Sequence, residues 1–430
     1  MSFRDKVSLG HFDLESTEFH IRSSMQSLGC IMLEEILNSD NGGYQGRTIV
    51  CDNENEAEFK EYRCKKLRTV LGGVSVKRAY YYDKKNKTGC CPKDQDLDIK
   101  GTLFSPGLRR IMGRVGAYRP FGLGHEDIKE IAGLTVTSKE IERTSCQLGR
   151  DVDEYYKKES EQPSDNVIPF LSPTTMYICM DGTGVPVVKS ETKGRKGKHE
   201  DGDAKTREAK LGCVFTQTAV DKEGYPIRDE ASTSYVGAIE TSEEFGNRIY
   251  SEAERRGIQR AKKICVIGDG APWIWNLADL HFYRATQIID IFHAREHCWE
   301  IGKVVFGTDK EKVNSWVKER LDELEQGKIE DLIIALKGLS PTTEAEEDFV
   351  RREINYFDKN KKRMRYKKFR SQGLFVGSGV IEAGCRAVIG QRFKQSGMHW
   401  TVKHANNIIA LRCCIISNRW EDFLENRACA

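Results

Sequence analysis

Hydrophobic residues follow two different spacings along the chain. A helical period governs 21–37 and 104–150, and strand-like alternation flanks Gly72-Gly73 over 62–82. Farther on, the short apolar runs are MYICM, LGCVFTQT, SYVGAI, KICVI and TQIID, with amphipathic stretches between the last three. This order of three strands, helix, strand, helix and strand predicts an α/β fold in which helices pack on a mixed sheet.

The N-terminal pattern predicts a helix followed by a β-hairpin within 1–100. One face of the helix carries Ile21, Met25, Leu28, Met32 and Ile36, and the segment NSDNGGYQG ends it. The hairpin turns at Gly72-Gly73. These elements make up an α+β region.

The segment HEDIKEIAGLTVTSKEIERTSCQL has the form of a helix-turn-helix. Ile128 lies on the apolar face of the first helix, Gly133 supplies the turn, and Thr137 or Ser138 can cap the second helix. An ordinary helical hairpin is the alternative, because short matches of this kind are common. The region 101–165 is predicted to hold this motif and a linker at 157–166, a polar stretch that contains proline.

Composition narrows the class of protein. The 68 Lys and Arg residues nearly balance 65 Asp and Glu, so any nucleic-acid surface must come from local patches. No uncharged apolar run approaches the roughly 18 residues of a membrane span, and the N-terminal segment lacks the apolar core of a signal peptide. We expect a soluble, cytoplasmic protein without a membrane partner.

Fourteen cysteines occur without any C-x-x-C pair. Several stand in apolar runs, such as Cys179 and Cys265, where a free thiol packs as a small hydrophobic group. The sequence therefore predicts buried thiols in a reducing compartment rather than a disulfide framework.

Three acids stand where chemistry is expected. Asp181 and Asp269 each end a predicted buried strand, the first at a tight DGTG turn, and Glu382 opens a helix capped by Ser378. Carboxylates at the ends of neighbouring strands converge, and such oxygen-only clusters suit Mg²⁺. Each acid also has a structural alternative, as a turn residue or as a helix-start residue paired with Arg386.

Five passages resemble the DDE transposases of bacterial insertion sequences, in particular the Kra-type group related to mutator-like transposases. The passages are MDGTGVPV, AKTREAKLGCVFTQT, VIGDGAPWIWNLA, IIDIFHAREH and GSGVIEAGCRAVIGQRFKQSGMHW. The resemblance extends from about residue 20 to the end of the chain and is densest over 176–412. It implies a ribonuclease H-like mixed sheet over 166–430, with a helical insertion at about 298–370 and the α+β, helix-turn-helix region before it.

The same resemblance implies the site. Asp181, Asp269 and Glu382 match the catalytic acids and would bind two Mg²⁺ ions, for which Mn²⁺ can substitute. Asp290 and His293 match the family's Asp-x-x-His element, which places His293 in the catalytic site. The implied activity is metal-dependent strand cleavage and strand transfer at the inverted-repeat ends of an insertion sequence.

The string HAREH offers a competing interpretation, because His293 and His297 stand at the spacing of an inverted zinc-protease motif. Such a motif must lie well inside a helix, whereas the apolar, β-like TQIID before it places His293 near a strand end. We therefore favour the transposase interpretation.

The N-terminal region departs from the family, whose members often carry a zinc ribbon there. The available thiols are Cys51, Cys64, Cys90 and Cys91. Their spacing does not supply two ligand pairs, so we expect a hairpin without zinc.

Basic residues predict the contacts to double-stranded DNA. Lys139, Arg143 and Gln147 would read the element ends from the second helix of the helix-turn-helix. Lys361, Lys362 and Lys367 belong to a basic stretch interleaved with aromatic residues that can stack on bases. Near the third acid, Gln391, Arg392, Lys394 and Trp400 are further candidates, with a place in the core as the alternative for Trp400.

The sequence thus predicts a DNA transposase that binds element ends and target DNA in the bacterial nucleoid. Because two ends must be brought together, a homodimer or higher oligomer is expected. The alternative is a transposase relic that binds specific DNA but no longer catalyses.

Overall fold

The computed structural model describes residues 13–50, 56–161, 175–197 and 204–428. They fall into two compact units, Met1–Gln147 with Asn426–Ala430, and Leu148–Glu425. The boundary lies inside a helix, and the division into 1–100, 101–165 and 166–430 stays a prediction. Within the described ranges, no helix combines the length and the apolar character needed to cross a membrane.

The first unit holds a four-stranded antiparallel sheet and several helices. Its strands, in spatial order, are β1 (Thr48–Val50), β2 (Glu56–Arg68), β3 (Gly73–Asp83) and β4 (Thr88–Cys90). Its helices are α1 (Leu14–Asn38), α2 (Pro92–Asp96), α3 (Pro106–Tyr118), α4 (Phe121–Ala132) and the first part of α5 (Ser138–Glu161). The predicted hairpin is confirmed as β2 and β3, although the sheet is larger than the hairpin expected.

Helix α1 packs on this sheet, but with a different side from the apolar face that the sequence predicted. Leu33 and Leu37 of α1 meet the cluster formed by Leu67, Val74 and Val76. The five residues of the predicted face are all exposed. Helix α1 is therefore apolar on two sides, and the sheet covers one of them.

Helices α3, α4 and α5 surround a core that includes Leu108, Met112, Ile128 and Ile141. The two helices and the glycine turn of the predicted helix-turn-helix are present. Gly133 ends α4 in the left-handed conformation (φ 69°), and Thr137 exchanges capping hydrogen bonds with Glu140 at the start of α5. DNA recognition by this pair stays a prediction.

The linker prediction is wrong for residues 157–161, because α5 continues through them. Local polarity did not end the helix. The rest of the predicted linker, 162–166, lies outside the described residues, as does Cys51.

The second unit contains a mixed sheet and a surrounding set of helices. Its strands are β5 (Thr175–Pro186), β6 (Thr206–Gln217), β7 (Ala219–Val220), β8 (Pro226–Ile227), β9 (Ser234–Ala238), β10 (Lys263–Gly268) and β11 (Thr286–Ile289). The five-stranded sheet has the order β11-β10-β5-β6-β9, while β7 and β8 pair separately. Strands β11, β10 and β5 are parallel to one another. Strand β6 pairs antiparallel with β5, and β9 pairs antiparallel with β6. The predicted mixed sheet is confirmed.

The helices of this unit are α6 (Ser242–Arg255), α7 (Pro272–His281), α8 (Ile291–Phe306), α9 (Lys310–Gln326), α10 (Ile329–Lys337), α11 (Glu344–Asn360), α12 (Tyr366–Ser371), α13 (Gly379–Gly384), α14 (Gln391–Phe393), α15 (Val402–Ile416) and α16 (Trp420–Ala428). The stretch 298–370 is helical, as the sequence predicts. A π-helical turn, Cys385–Gly390, joins α13 to α14, and the buried Arg412 donates to the Val388 carbonyl within it.

Seven of the twelve described cysteines are buried, including Cys179, Cys213 and Cys265. Cys179 and Cys213 face each other across the β5–β6 ladder. For these buried thiols, the prediction that they pack as small hydrophobic groups is confirmed.

Candidate active site

The register of the parallel strands brings three aspartates to one edge of the sheet. The last paired residues are Ile267 with Cys179 and Gly268 with Ile289. Counting on from these pairs, Asp269 stands between Asp181 on β5 and Asp290 after β11. Since neighbouring strands lie about 4.8 Å apart, the three backbones are close neighbours at this edge.

Asp181 lies inside a strand, so the predicted DGTG turn is wrong. Strand β5 runs on to Pro186 and stays paired with β6 throughout, from Asp181 opposite Leu211 to Pro186 opposite Thr206. The equally long antiparallel partner supplies the hydrogen bonds that keep this glycine-rich segment extended.

Two donors hold the Asp181 carboxylate. The Cys385 thiol donates to Oδ2 at 3.2 Å, and the Gly182 N–H donates to Oδ1 at 2.6 Å. Burial, and after it the charge of Asp181, raises the pKa of Cys385, so this thiol keeps its proton and remains a donor.

Asp269 is held by a backbone N–H two residues along the chain and by a side chain of helix α11. Its side chain accepts the Ala271 N–H at 2.9 Å, and its carbonyl accepts the Tyr356 hydroxyl of α11 at 3.2 Å. Gly270 has φ 104°, and a Cβ there would stand 2.7 Å from the Tyr356 ring. Glycine is thus required at 270 both by the backbone conformation and by the close approach of the Tyr356 ring.

Asp290 and Glu382 share a serine. The Ser378 hydroxyl lies 2.5 Å from Asp290 Oδ2 and 2.9 Å from Glu382 Oε1. Ser378 occupies the N-cap position of α13 but makes no side-chain capping bond, contrary to the prediction. Because a hydroxyl has one proton to donate, it can give a full hydrogen bond to only one of the two carboxyl groups at a time.

The acids influence one another electrostatically. The pKa of Asp181 is raised, first by burial and then by the charges of Asp269 and Glu382, against the bonds from Cys385 and Gly182. The pKa of Asp290 is also raised, by burial and then by Glu382. Four carboxyl groups therefore form one cluster, from the buried Asp290 to the exposed Glu382.

Asp290 received no predicted role as a metal ligand from the sequence. The sequence feature that could have indicated one is the same as for Asp269, a buried apolar strand that ends in aspartate. Its side chain also caps α8 by accepting the Phe292 N–H at 2.9 Å.

The donor chemistry of the cluster fits Mg²⁺, since it offers only carboxylate oxygens. A divalent cation would also offset the repulsion that raises the pKa of Asp181 and Asp290. In the described part of the chain, however, no three His, Cys, Asp or Glu side chains are arranged so that they could hold a metal ion. The residues match the ion in type, and a converging ligand geometry is not formed.

His293 and His297 both lie on helix α8, so the HAREH string is helical, although His293 stands near a strand end as predicted. The strand stops at Ile289 and the helix starts at once, capped by Asp290. His297 Nδ1 is 2.6 Å from Glu353, and its ring stacks on Tyr356 at 4.1 Å. His293 lies within 3.4 Å of Glu296. These contacts give His297 a structural role. Among the described residues no three His, Cys, Asp or Glu side chains form a group that could hold zinc, so the structure does not support the zinc-hydrolase alternative.

Two proposed DNA contacts near Glu382 are corrected. Arg392 is 0% exposed and stacks on the ring of the buried Trp400 at 4.8 Å. Because both side chains are buried, with Trp400 7% exposed, the structure does not support either as a DNA contact. Gln391 and Lys394 are exposed, and Lys394 Nζ lies 2.6 Å from Thr183 on β5.

The other predicted DNA-binding residues lie at or near the surface. Lys139, Arg143, Gln147, Lys362 and Lys367 are exposed, and Lys361 is partly exposed and paired with Asp358. The aromatic side chains between the lysines are not available for base stacking. Phe357, Tyr366 and Phe369 are buried, because their spacing turns them to the interior of the helical insertion.

Comparison with protein-family models finds no match, and neither does comparison with curated proteins. Among solved structures, the chain is similar to the Drosophila P element transposase strand transfer complex. The identity is 10%, the TM-score is 0.34, and the alignment covers 77% of this chain and 96% of that chain. At that identity and TM-score the likeness is remote and identifies neither a family nor a function.

Proposed function

We propose that this protein is a DNA transposase of the DDE type, which binds the ends of its insertion element and catalyses strand cleavage and strand transfer. The observation that carries the proposal is the cluster formed by Asp181, Asp269, Asp290 and Glu382 at one edge of the mixed sheet. The sequence resemblance to insertion-sequence transposases identifies three of these acids independently of the fold.

The architecture around the cluster supports this proposal. Strand β5 has the parallel strands β10 and β11 on one side. On its other side lies the antiparallel β6, followed by β9, which is antiparallel to β6 and so parallel to β5. This is the sheet expected of a ribonuclease H-like domain. The helical insertion lies between Asp269 and Glu382, where the resemblance requires it. Its contact with Asp269 through Tyr356 connects the insertion to the site.

Asp181, Asp269 and Glu382 would hold Mg²⁺, and Asp290 would assist Glu382 through the Ser378 hydroxyl that lies between them. The bound ions would polarise the scissile phosphate and activate the attacking oxygen. In the first step, a water oxygen attacks phosphorus and the bond to the 3′ oxygen breaks, which leaves a 3′-hydroxyl and a 5′-phosphate. In the second step, that hydroxyl attacks a phosphodiester of the target DNA.

The protein's own cations would position DNA during these steps. Lys394 is exposed beside the acid cluster, where an ammonium group can pair with a phosphate oxygen. Lys362 and Lys367 offer further phosphate contacts on the insertion. None of these side chains reads sequence, which suits a site that must accept any target.

The proposal is tested by incubating the full chain with supercoiled plasmid that carries the two element ends. We expect nicked and strand-transferred products with Mg²⁺ or Mn²⁺ and none with EDTA. Cleavage that persists in EDTA would contradict the proposed mechanism.

A DNA-binding relic is the second candidate. The absence of a formed metal-ligand group among the described residues favours it. Tight, sequence-specific binding of element ends without any nicking in either metal would establish the relic over the enzyme.

Cys385 is expected to act as a positioning residue for Asp181. Cys385→Ala removes the thiol donor, and we expect the Mg²⁺ concentration for half-maximal cleavage to rise about 10- to 100-fold. Cys385→Ser keeps a donor and should restore the wild-type Mg²⁺ dependence. Cys64→Ala, at an exposed thiol of the first unit, is the matched control. An unchanged Mg²⁺ dependence in Cys385→Ala would exclude the role.

Sequence reading is expected to reside in α5. Arg143→Ala or Gln147→Ala should weaken binding to element ends by about 1–3 kcal/mol while leaving random DNA nearly unaffected. Neutralising Lys362 and Lys367 should weaken both DNAs equally and reduce the salt slope by about one per lost phosphate contact. Titrations of both duplexes at two salt concentrations distinguish these outcomes. Parallel loss of both DNAs in the α5 variants would show that α5 is not the reader.

A further inference from the structure

The first helix carries an apolar surface that nothing in the described chain covers. We call it the α1 stripe, and it consists of Ile21, Met25, Leu28, Met32 and Ile36. Their exposed fractions run from 50% for Leu28 to 67% for Ile36. Contiguous apolar surface of this length is rare on soluble monomers and marks an interaction site.

Hydrogen bonds on another side of α1 fix the orientation of the helix and keep the stripe exposed. A different side of α1 is anchored to its own unit, where Gln26 donates to the Ala132 carbonyl at 2.8 Å and Asn38 donates to the Ser75 carbonyl at 2.8 Å. Glu34 accepts the Ser75 N–H at 2.7 Å. The helix therefore cannot roll to bury the stripe without losing these bonds.

The residue types along the stripe read the same in both directions, as Ile, Met, Leu, Met and Ile. A two-fold axis perpendicular to a helix brings that helix against a copy running the opposite way. Centred near Leu28, such a pair would place Ile21 at the level of Ile36 and Met25 at the level of Met32 of the second copy. The stripe is thus complementary to itself in an antiparallel pair.

The acids beside the stripe select the same orientation. A parallel, in-register pair would bring Glu18 and Glu35 each to the level of its own copy, where like charges repel. The antiparallel pair avoids both like-charge contacts, because Glu18 then lies at the level of Ser39 and Glu35 at the level of Arg22, whose guanidinium donates to the Ile131 carbonyl of its own copy. Charge therefore favours the antiparallel orientation.

We propose that the α1 stripe is a homodimer interface, in which α1 of two copies of this chain pair antiparallel around Leu28. This inference rests on the first unit and does not depend on catalysis by the second. The dimer would exist without DNA.

The experiment measures the mass of the full chain by sedimentation velocity over a concentration series without DNA. We expect a dimer for the wild type, and for Leu28→Glu a dissociation constant raised at least ~100-fold, because two charges would be buried together. Leu280→Glu is the matched control, since Leu280 is 69% exposed on α7, and it should remain dimeric. A monomeric wild type, or a Leu28→Glu protein that dimerises normally, would overturn the proposal.

A cysteine pair tests the orientation without adding charge. Ile21→Cys mixed with Ile36→Cys should form a cross-linked mixed dimer under mild oxidation, above the background that the native thiols give in the wild type. Each variant alone should not link to itself. Self-linking of either variant, or no linking in the mixture, would contradict the antiparallel pair. Nicking assays on Leu28→Glu separate this result from the proposed function, because the acid cluster is untouched.

Discussion

Asp181→Asn is expected to abolish DNA cleavage and at the same time to stabilise the folded protein. Asparagine keeps the shape of the side chain but loses the charge that would hold a cation, so cleavage should fall at least ~10³-fold. Burial and the nearby charges of Asp269 and Glu382 disfavour ionised Asp181. Removing that charge relieves the repulsion, so we expect a higher melting temperature without metal.

Metal titration provides the second measurement for this variant. Mg²⁺ should raise the melting temperature of the wild type, because it binds the folded state, and should have little effect on Asp181→Asn. Asp322→Asn, at an exposed aspartate of the same unit, is the control and should match the wild type. Asp269→Ala should also fail to cleave. Wild-type cleavage by either variant at the acid cluster would end the proposed mechanism.

Glu252→Gln is expected to destabilise the protein by about 3–5 kcal/mol, the cost of leaving buried charge without its partner. Glu252 is completely buried. It accepts two hydrogen bonds from Arg419 at 2.7 and 2.8 Å, another from Arg255 at 2.5 Å, and one from the Ser234 hydroxyl. These bonds join α6 to the residue that precedes α16, so the loss should extend beyond one side chain.

The same network sets a pH dependence. Burial alone would raise the pKa of Glu252, but the charges of Arg419 and Arg255 outweigh it and lower the pKa to about 2. A lowered pKa means that the stabilisation is complete above the ordinary value of 4.5 and is lost as the pH falls from there toward 2.

Urea unfolding at neutral and acidic pH measures both effects. The wild type should lose more stability than Glu252→Gln between the two conditions. Asp348→Asn, which breaks an exposed pair with Arg351, is the control and should unfold like the wild type. Equal acid sensitivity of the wild type and Glu252→Gln would show that Glu252 is not the titrating group.

Local patterns were sufficient for the element order of the second unit. The short apolar runs of this unit pair as strands, and α6 begins with a Thr241–Glu244 capping box in an amphipathic stretch that the sequence displays. The burial of Cys179 and Cys265 followed from the same runs. These features depend on neighbours in the chain, which a sequence displays directly.

Long-range pairing decided what the sequence misjudged. The DGTG segment has the local features of a turn, but pairing with the twelve-residue strand β6 keeps it extended. The polar residues 157–161 suggested a linker, but helix α5 continues through them. The charge of Arg392 suggested a DNA contact, but the Trp400 ring, which lies farther along the chain, covers its guanidinium group.

The sequence by itself determined the mixed sheet and the helical character of 298–370, while the assignment of three acids as catalytic stays a prediction of the transposase resemblance. Only the tertiary structure decided that Asp290 joins them, because strand register and the Ser378 bridge involve residues far apart in the chain. It also decided which side of α1 the sheet covers. A helix that is apolar on two sides can bury either one, and the choice is made by the shape and hydrogen bonds of the surface it meets.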